Sequence, residues 1–401
     1  MSIRDSIAVM ALGLTLAGPA LASDVGYIYG RVETESGSKY TGQLRWGTEE
    51  AFWDDIFNAT KAENENLADL DPRIVDDIKA RHWKGWDVFG VGEPELTHLF
   101  AIRFGDLKRL EVRRHENVVA EFRNGEELQL KGGSNDVGAK ITVIDKRSGK
   151  REIPWDKIRT VEFMDTPTAL EEKLGEPIYG TVKSGRYDFT GRIQWDNDET
   201  LTTDKLDGDS PDGKAHVEFG EIAGIRKHRS GVMVRLRSGD EVYLRGTNDV
   251  NSGNRGVVVI VPRLGSVKIG WDDFDEVTFS RAPNSGRSYA EYAKGKPLVG
   301  TVVTRDGRLD GQIVFDLDES RDFELLHGTN GVTEYLIPFR EIASIRPEGS
   351  RRSVVQLRMG LNIELEESQD VTRDNDGLLV FAGGQKPSYV EWRDVTEVRF
   401  R

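Results

Sequence analysis

The chain closes on VEWRDVTEVRF, residues Val390–Phe400. Five earlier stretches repeat the phrase: IRFGDLKRLEV (102–112), IPWDKIRTVEF (153–163), VEFGEIAGIRK (217–227), IGWDDFDEVTF (269–279) and IPFREIASIRP (337–347). Each is apolar at position one, aromatic at three, and apolar at six and nine; five of the six are acidic at position five. The aromatics, Phe104, Trp155, Phe219, Trp271, Phe339 and Trp392, alternate between Phe and Trp. Positions one and three share a face of a strand, but the spacing three–six–nine does not fit a period of two. The phrase therefore predicts an entering strand, one tight turn and a leaving strand. An acid at position five (Asp106, Glu221, Asp273, Glu341, Asp394) suits the N-terminal end of a short 3₁₀ turn. The six aromatics are read as core residues that close a small β-unit.

What precedes each phrase is a strand, a glycine-bearing turn and a returning strand. Gly37, Gly185 and Gly307 mark the turns of one flavour; Gly125, Gly239 and Gly360 mark those of the other. In VMVRLRSG, Val232, Val234 and Leu236 alternate with Met233, Arg235 and Arg237, as in a strand with one buried face. Phe104, Phe219 and Phe339 lie 115 and 120 residues apart, and Asp136, Asp249 and Asp370 lie 113 and 121 apart. The chain thus reads as three tandem copies of a two-unit module. In the fifth unit strands are expected near 298–304, 309–316, 321–326, 333–339 and 343–346.

Five short strands with a single-turn helix before the last resemble an SH3-like or Sm-like small barrel, a group that includes PRC-type barrels. The resemblance covers nearly all of the chain after residue 22 and implies an all-β fold of six five-stranded barrels. Members of that group bind peptides, RNA or partner subunits, but no ligand motif of theirs is found in this chain. The expected organisation is a signal peptide (1–22), module 1 (23–163) with a helical insertion at about 49–98, a linker (164–176), module 2 (177–279), a second linker (280–296) and module 3 (297–401). Leu170, Leu174, Tyr289 and Tyr292 are placed to pack the linkers, as short amphipathic helices, onto neighbouring barrels.

The N-terminus carries MSIR, an apolar run IAVMALGLTLAG and small residues at Ala20 and Ala22, the pattern of a secretory signal cleaved after Ala22. A periplasmic or secreted product is expected, with no transmembrane segment. The chain has no cysteine, which excludes disulfides, thiolate metal sites and cysteine nucleophiles. With 69 acidic against 55 basic side chains the net charge is −14, which disfavours nucleic acid as a partner.

Departures from the repeat mark where function could have been added. Trp46 to Phe104 spans 58 residues, against 24 for Trp195 to Phe219 and for Phe315 to Phe339. The surplus carries Trp53, Trp83, Trp86 and Phe89, candidates for contact with a partner or glycan; a helical hairpin burying those rings is the alternative. The recurrent NDV or QDV (Asp136, Asp249, Asp370), together with WDNDE (Asp196, Asp198, Glu199) and FDLDE (Asp316, Asp318, Glu319), offers carboxylates suited to calcium. Turn stabilisation explains the same residues without an ion. No metal-binding histidine pair, GxSxG or phosphate-binding glycine motif is present. The expectation is a non-catalytic, cofactor-free binding or scaffolding protein contacting an envelope protein or polymer. Its alternatives are a calcium-stabilised glycan-binding module and an envelope polysaccharide hydrolase.

Overall fold

The computed structural model describes residues 23–83, 99–114, 117–132, 136–185, 187–383 and 386–401. The expected signal peptide, Trp86 and Phe89 lie outside these residues. The described chain is mostly β, with one α-helix, α1 (Pro72–Trp83), and no helix long and apolar enough to cross a membrane.

The first segment contains β1 (Tyr29–Thr34), β2 (Lys39–Trp46), β3 (Ile56–Lys61), β4 (Leu99–Arg103), β5 (Leu107–Arg114), β6 (Asn117–Phe122), β7 (Glu127–Lys131), β8 (Ile141–Asp145), β9 (Gly149–Ile153) and β10 (Ile158–Phe163). The second contains β11 (Tyr179–Ser184), β12 (Tyr187–Trp195), β13 (Lys205–Ser210), β14 (Gly213–Glu218), β15 (Ile222–His228), β16 (Gly231–Leu236), β17 (Glu241–Leu244), β18 (Val257–Val261), β19 (Gly265–Ile269) and β20 (Phe274–Phe279). The third contains β21 (Val299–Thr304), β22 (Arg308–Val314), β23 (Leu325–Asn330), β24 (Thr333–Pro338), β25 (Ile342–Pro347), β26 (Arg352–Leu357), β27 (Asn362–Glu366), β28 (Leu378–Phe381), β29 (Ser388–Val390) and β30 (Val395–Phe400).

The repeated phrase folds as its spacing predicts. Five copies place a 3₁₀ turn between two strands, at Phe104–Asp106, Trp155–Lys157, Phe219–Glu221, Phe339–Glu341 and Trp392–Asp394. The sixth makes a tight turn in which the Phe274 amide donates to the Gly270 carbonyl at 3.1 Å. All six aromatics are buried. Phe315, Trp392, Phe339 and Phe400 meet ring to ring in the third segment at 5.3–6.5 Å between centroids.

The pairing between strands is less local than the sequence units. A five-stranded barrel would close β1 on β5. Here β1 pairs with β2 and β10, while β5 pairs with β6 and β10. Beyond β2 come β8 and β9 of the following unit; beyond β6 come β7 and then β3 and β4 of the preceding unit. Each unit thus gives its middle hairpin to its partner, and exchanging β1–β5 for β6–β10 reproduces the same order. The cause lies at the end of β2, where Gly47 (φ 58°) and the Trp46–Glu50 hydrogen bond turn the chain away from its own sheet. The pairings recur in β11–β20 and in β21–β30; in the second segment a bridge between Asp209 and Arg245 joins the β13–β14 hairpin to β17. Among the described residues no closed barrel is found.

The strand expected at 321–326 starts instead at Leu325. Residues 319–324 form a turn in which the Glu324 carboxylate accepts the amides of Ser320 and Arg321 at 2.6 and 2.8 Å.

The three segments touch pairwise. β19 pairs with β24, which joins the second and third into one sheet. Arg45 forms a two-bond ion pair with Asp204 at 2.8 Å, and Tyr27 and Phe52 cluster with Leu201, which links first to second. Phe122 meets Phe323 at 5.0 Å, and Ile78 of α1 packs on Val314, Leu317 and Leu379, which links first to third. The surplus of the first segment is therefore narrower than 49–98. Residues 56–61 form β3 like its counterparts, and the added chain lies between β3 and β4, where the other segments have two-residue turns.

The linkers pack as expected but with little helix. Leu170 and Leu174 lie against the Tyr27–Phe52–Leu201 cluster, and Tyr289–Glu291 is a single 3₁₀ turn with a Ser288–Glu291 capping box. Tyr292 lies flat over Gly105, where a Cβ would come within 2.4 Å of its ring.

Candidate functional site: an acidic cavity bordered by three segments

The turn after β2 recurs after β12 and β22, and the same chemistry holds it each time. Asp55 accepts the amides of Ala51 and Phe52, Asp204 those of Thr200 and Leu201, and Glu324 those of Ser320 and Arg321, at 2.6–2.9 Å. The NDV aspartates then pin the start of the neighbouring hairpin. Asp136 accepts the Asn58 amide at 2.6 Å, Asp249 the Asp207 amide at 2.8 Å and Asp370 the His327 amide at 2.7 Å. Their carbonyls receive the indole N–H of Trp46 and Trp195 at 2.8 and 2.9 Å. The third segment has Phe315 in place of that tryptophan, and the Asn375 side-chain amide donates to the Asp370 carbonyl at 3.1 Å. The recurrent NDV is thus a fastener between β-units, which explains its spacing.

Three glutamates stand beside these fasteners: Glu50, Glu199 and Glu319. Each carries an Oε2 that is buried and has no hydrogen-bond partner among the described residues. Burial, reinforced by neighbouring acids, raises all three carboxyls; Glu199 is pushed up to about 9. Asp136 is pushed up to about 7 by burial, against the hydrogen bonds it accepts from Asn58. The loops that the sequence paired do converge. Asn248 donates to Asp196, Gln369 contacts Asp316 and Asp376, and the Asp376 amide reaches Asp316 at 2.5 Å.

Of these residues Glu50, Asp136, Glu319 and Gln369 border a cavity of about 760 Å³ whose wall is drawn from all three segments. The first contributes Glu49, Glu50 and Asp136, and the third Glu334, Glu367 and Asp370. The basic groups on the wall are Arg255, Lys268 and His327. Lys268 and His327 both face Glu334, at 3.8 and 3.0 Å. A second cavity of about 340 Å³ shares Ile56, Ile260, Ser266, Leu325 and Leu336 with the first, and its wall carries both arginines, such as Arg103 and Arg192, and the acids Asp54, Glu291 and Glu341.

Of the aromatics singled out from the sequence, Trp53 is fully buried. It stacks on Tyr289 at 4.5 Å between centroids and donates to Thr166 at 3.0 Å, an interior packing role. Trp83 ends α1, with its side chain outside the described residues. The sequence reading missed Glu49, Glu50 and Lys61. The one available signal was that EE follows Trp46 at the register of DE after Trp195 and Phe315. No family model, no curated protein and no solved structure matches the chain.

Proposed function

We propose that the chain is an exported, non-catalytic binding protein that receives a positively charged group of an envelope protein or polymer in its central acidic chamber. The observation that carries this reading is the cavity of about 760 Å³ walled by all three segments, where carboxylates outnumber cationic side chains. The aspartates of the recurrent NDV and QDV, Asp136, Asp249 and Asp370, hold backbone amides. That role favours binding over turnover. The reading extends to ancestry of form: three tandem two-unit modules, each unit an SH3-like or Sm-like five-stranded element that has exchanged its middle hairpin with its neighbour.

A photoreactive residue placed at Leu336, on the cavity wall, should crosslink an envelope component, whereas one at Met359, exposed outside the cavity, should not. Changing Glu334 and Glu367 to glutamine should abolish capture at Leu336. Equal capture from both positions would overturn the chamber as the binding site.

A further inference from the structure

The three fasteners are equivalent in backbone but not in charge. In the second segment Arg255 reaches Asp198 at 2.5 Å and Asp196 at 3.6 Å. In the third, buried Lys61 reaches Glu324 at 2.8 Å and Asp318 at 3.2 Å, beside Glu319. In the first, no ion pair among the described residues reaches Glu50 or Asp136, and Arg255 acts on Glu49 only through space. The loop explains the difference. From Asp136 to the first residue of β8 the chain takes five steps, against eight from Asp249 to β18 and from Asp370 to β28. The position that carries Arg255 in the second segment is therefore missing from the first.

What remains is a nest of three carboxylates, Glu49, Glu50 and Asp136, with one oxygen of each within 4.8 Å of the others. Glu50 is 6 % exposed, and its Oε2 has no partner among the described residues. A buried carboxylate oxygen without a donor is costly unless a proton or a cation meets it. The counterparts of Glu49, Asp198 and Asp318, each pair with a fixed side-chain cation, and here the ligands are all hard oxygens with the open chamber beside them for water. We propose that Glu49, Glu50 and Asp136 bind one divalent cation of the calcium type, which takes the place filled by Arg255 and Lys61 in the other two segments. This inference goes beyond the chamber's charged ligand and does not depend on it.

The purified full chain, freed of metal with a chelator, is titrated with terbium as a calcium probe. Trp46, bonded to the Asp136 carbonyl, is placed to sensitise its emission. One site that calcium competes for, and a melting temperature raised by calcium and restored by chelator, are the expected results. Glu50→Gln should abolish the emission, and Glu49→Gln, at a partly exposed residue with no backbone amide to hold, should weaken binding roughly tenfold or more. Glu199→Gln, at the equivalent place in the second segment, should change neither. No sensitised emission in the unaltered chain, or emission that survives both Glu49→Gln and Glu50→Gln, would overturn the site. Crosslinking from Leu336 reads the chamber's ligand separately, so either proposal can fail alone.

Discussion

Lys61 of the first segment donates to the Glu324 carboxylate of the third at 2.8 Å, and both side chains are buried. Burial alone would lower the lysine's proton affinity, but Asp318, Glu324 and Glu319 outweigh it and keep the ammonium charged. Lys61→Met leaves these acids uncompensated in the interior. It should destabilise the chain by about 3–5 kcal/mol, read by urea unfolding. A loss below about 1 kcal/mol would mean that water already reaches the pair.

The two tryptophan fasteners should respond unequally to loss of the indole N–H. In Trp195→Phe the Asp249 carbonyl keeps the Asn254 side-chain amide at 3.2 Å, so a cost of about 1 kcal/mol is expected. In Trp46→Phe the Asp136 carbonyl keeps only a 3.4 Å turn bond from Ala139, and the cost should rise toward ~3 kcal/mol. Equal losses in matched thermal melts would contradict this account of the shortened loop.

Glu199 gives stability a defined pH slope. Its folded-state carboxyl is raised to about 9 by burial and by Asp249, Asp198 and Asp196, so the folded state holds a proton that the unfolded state releases near 4.5. Stability contributed by the neutral form is complete below that value and falls as pH rises to about 9, by up to ~1.4 kcal/mol per pH unit. Glu199→Gln should flatten the slope in urea titrations at pH 5, 7 and 9. An unchanged slope would assign the effect to the other buried carboxyls.

Gly105 and Tyr292 should behave as one unit. A Cβ at Gly105 would come within 2.4 Å of the ring, and the tyrosine hydroxyl donates to Asp54 at 2.5 Å. Gly105→Ala should cost about 1–3 kcal/mol by displacing the linker. With Tyr292→Ala already present the same change should cost much less, a coupling that a double-mutant cycle measures directly.

The phrase around Trp392 was legible because it is local. Within eleven residues the apolar spacing switches from period two to a turn, and the ring at position three has to leave solvent. The exchange of hairpins was not legible, because β2 pairing with β8 rather than with its own unit depends on contacts remote in sequence. Trp53 shows the same limit. Nothing near it in sequence reveals that Tyr289, from the second linker, covers its face. The acid nest was half legible: the aspartate repeats visibly, but Glu49 and Glu50 become significant only once the missing counterpart of Arg255 is seen in space.

The latch of α1 onto Val314 and Leu379 has a consequence for how this chain could have grown. An array of repeats that contact only their immediate neighbours can gain or lose a copy at either end. Here the first segment also grips the last. The two ends of the described chain are thereby held together, by the helix, by Phe122 against Phe323 and by Lys61 on Glu324, and neither end is free to extend the array.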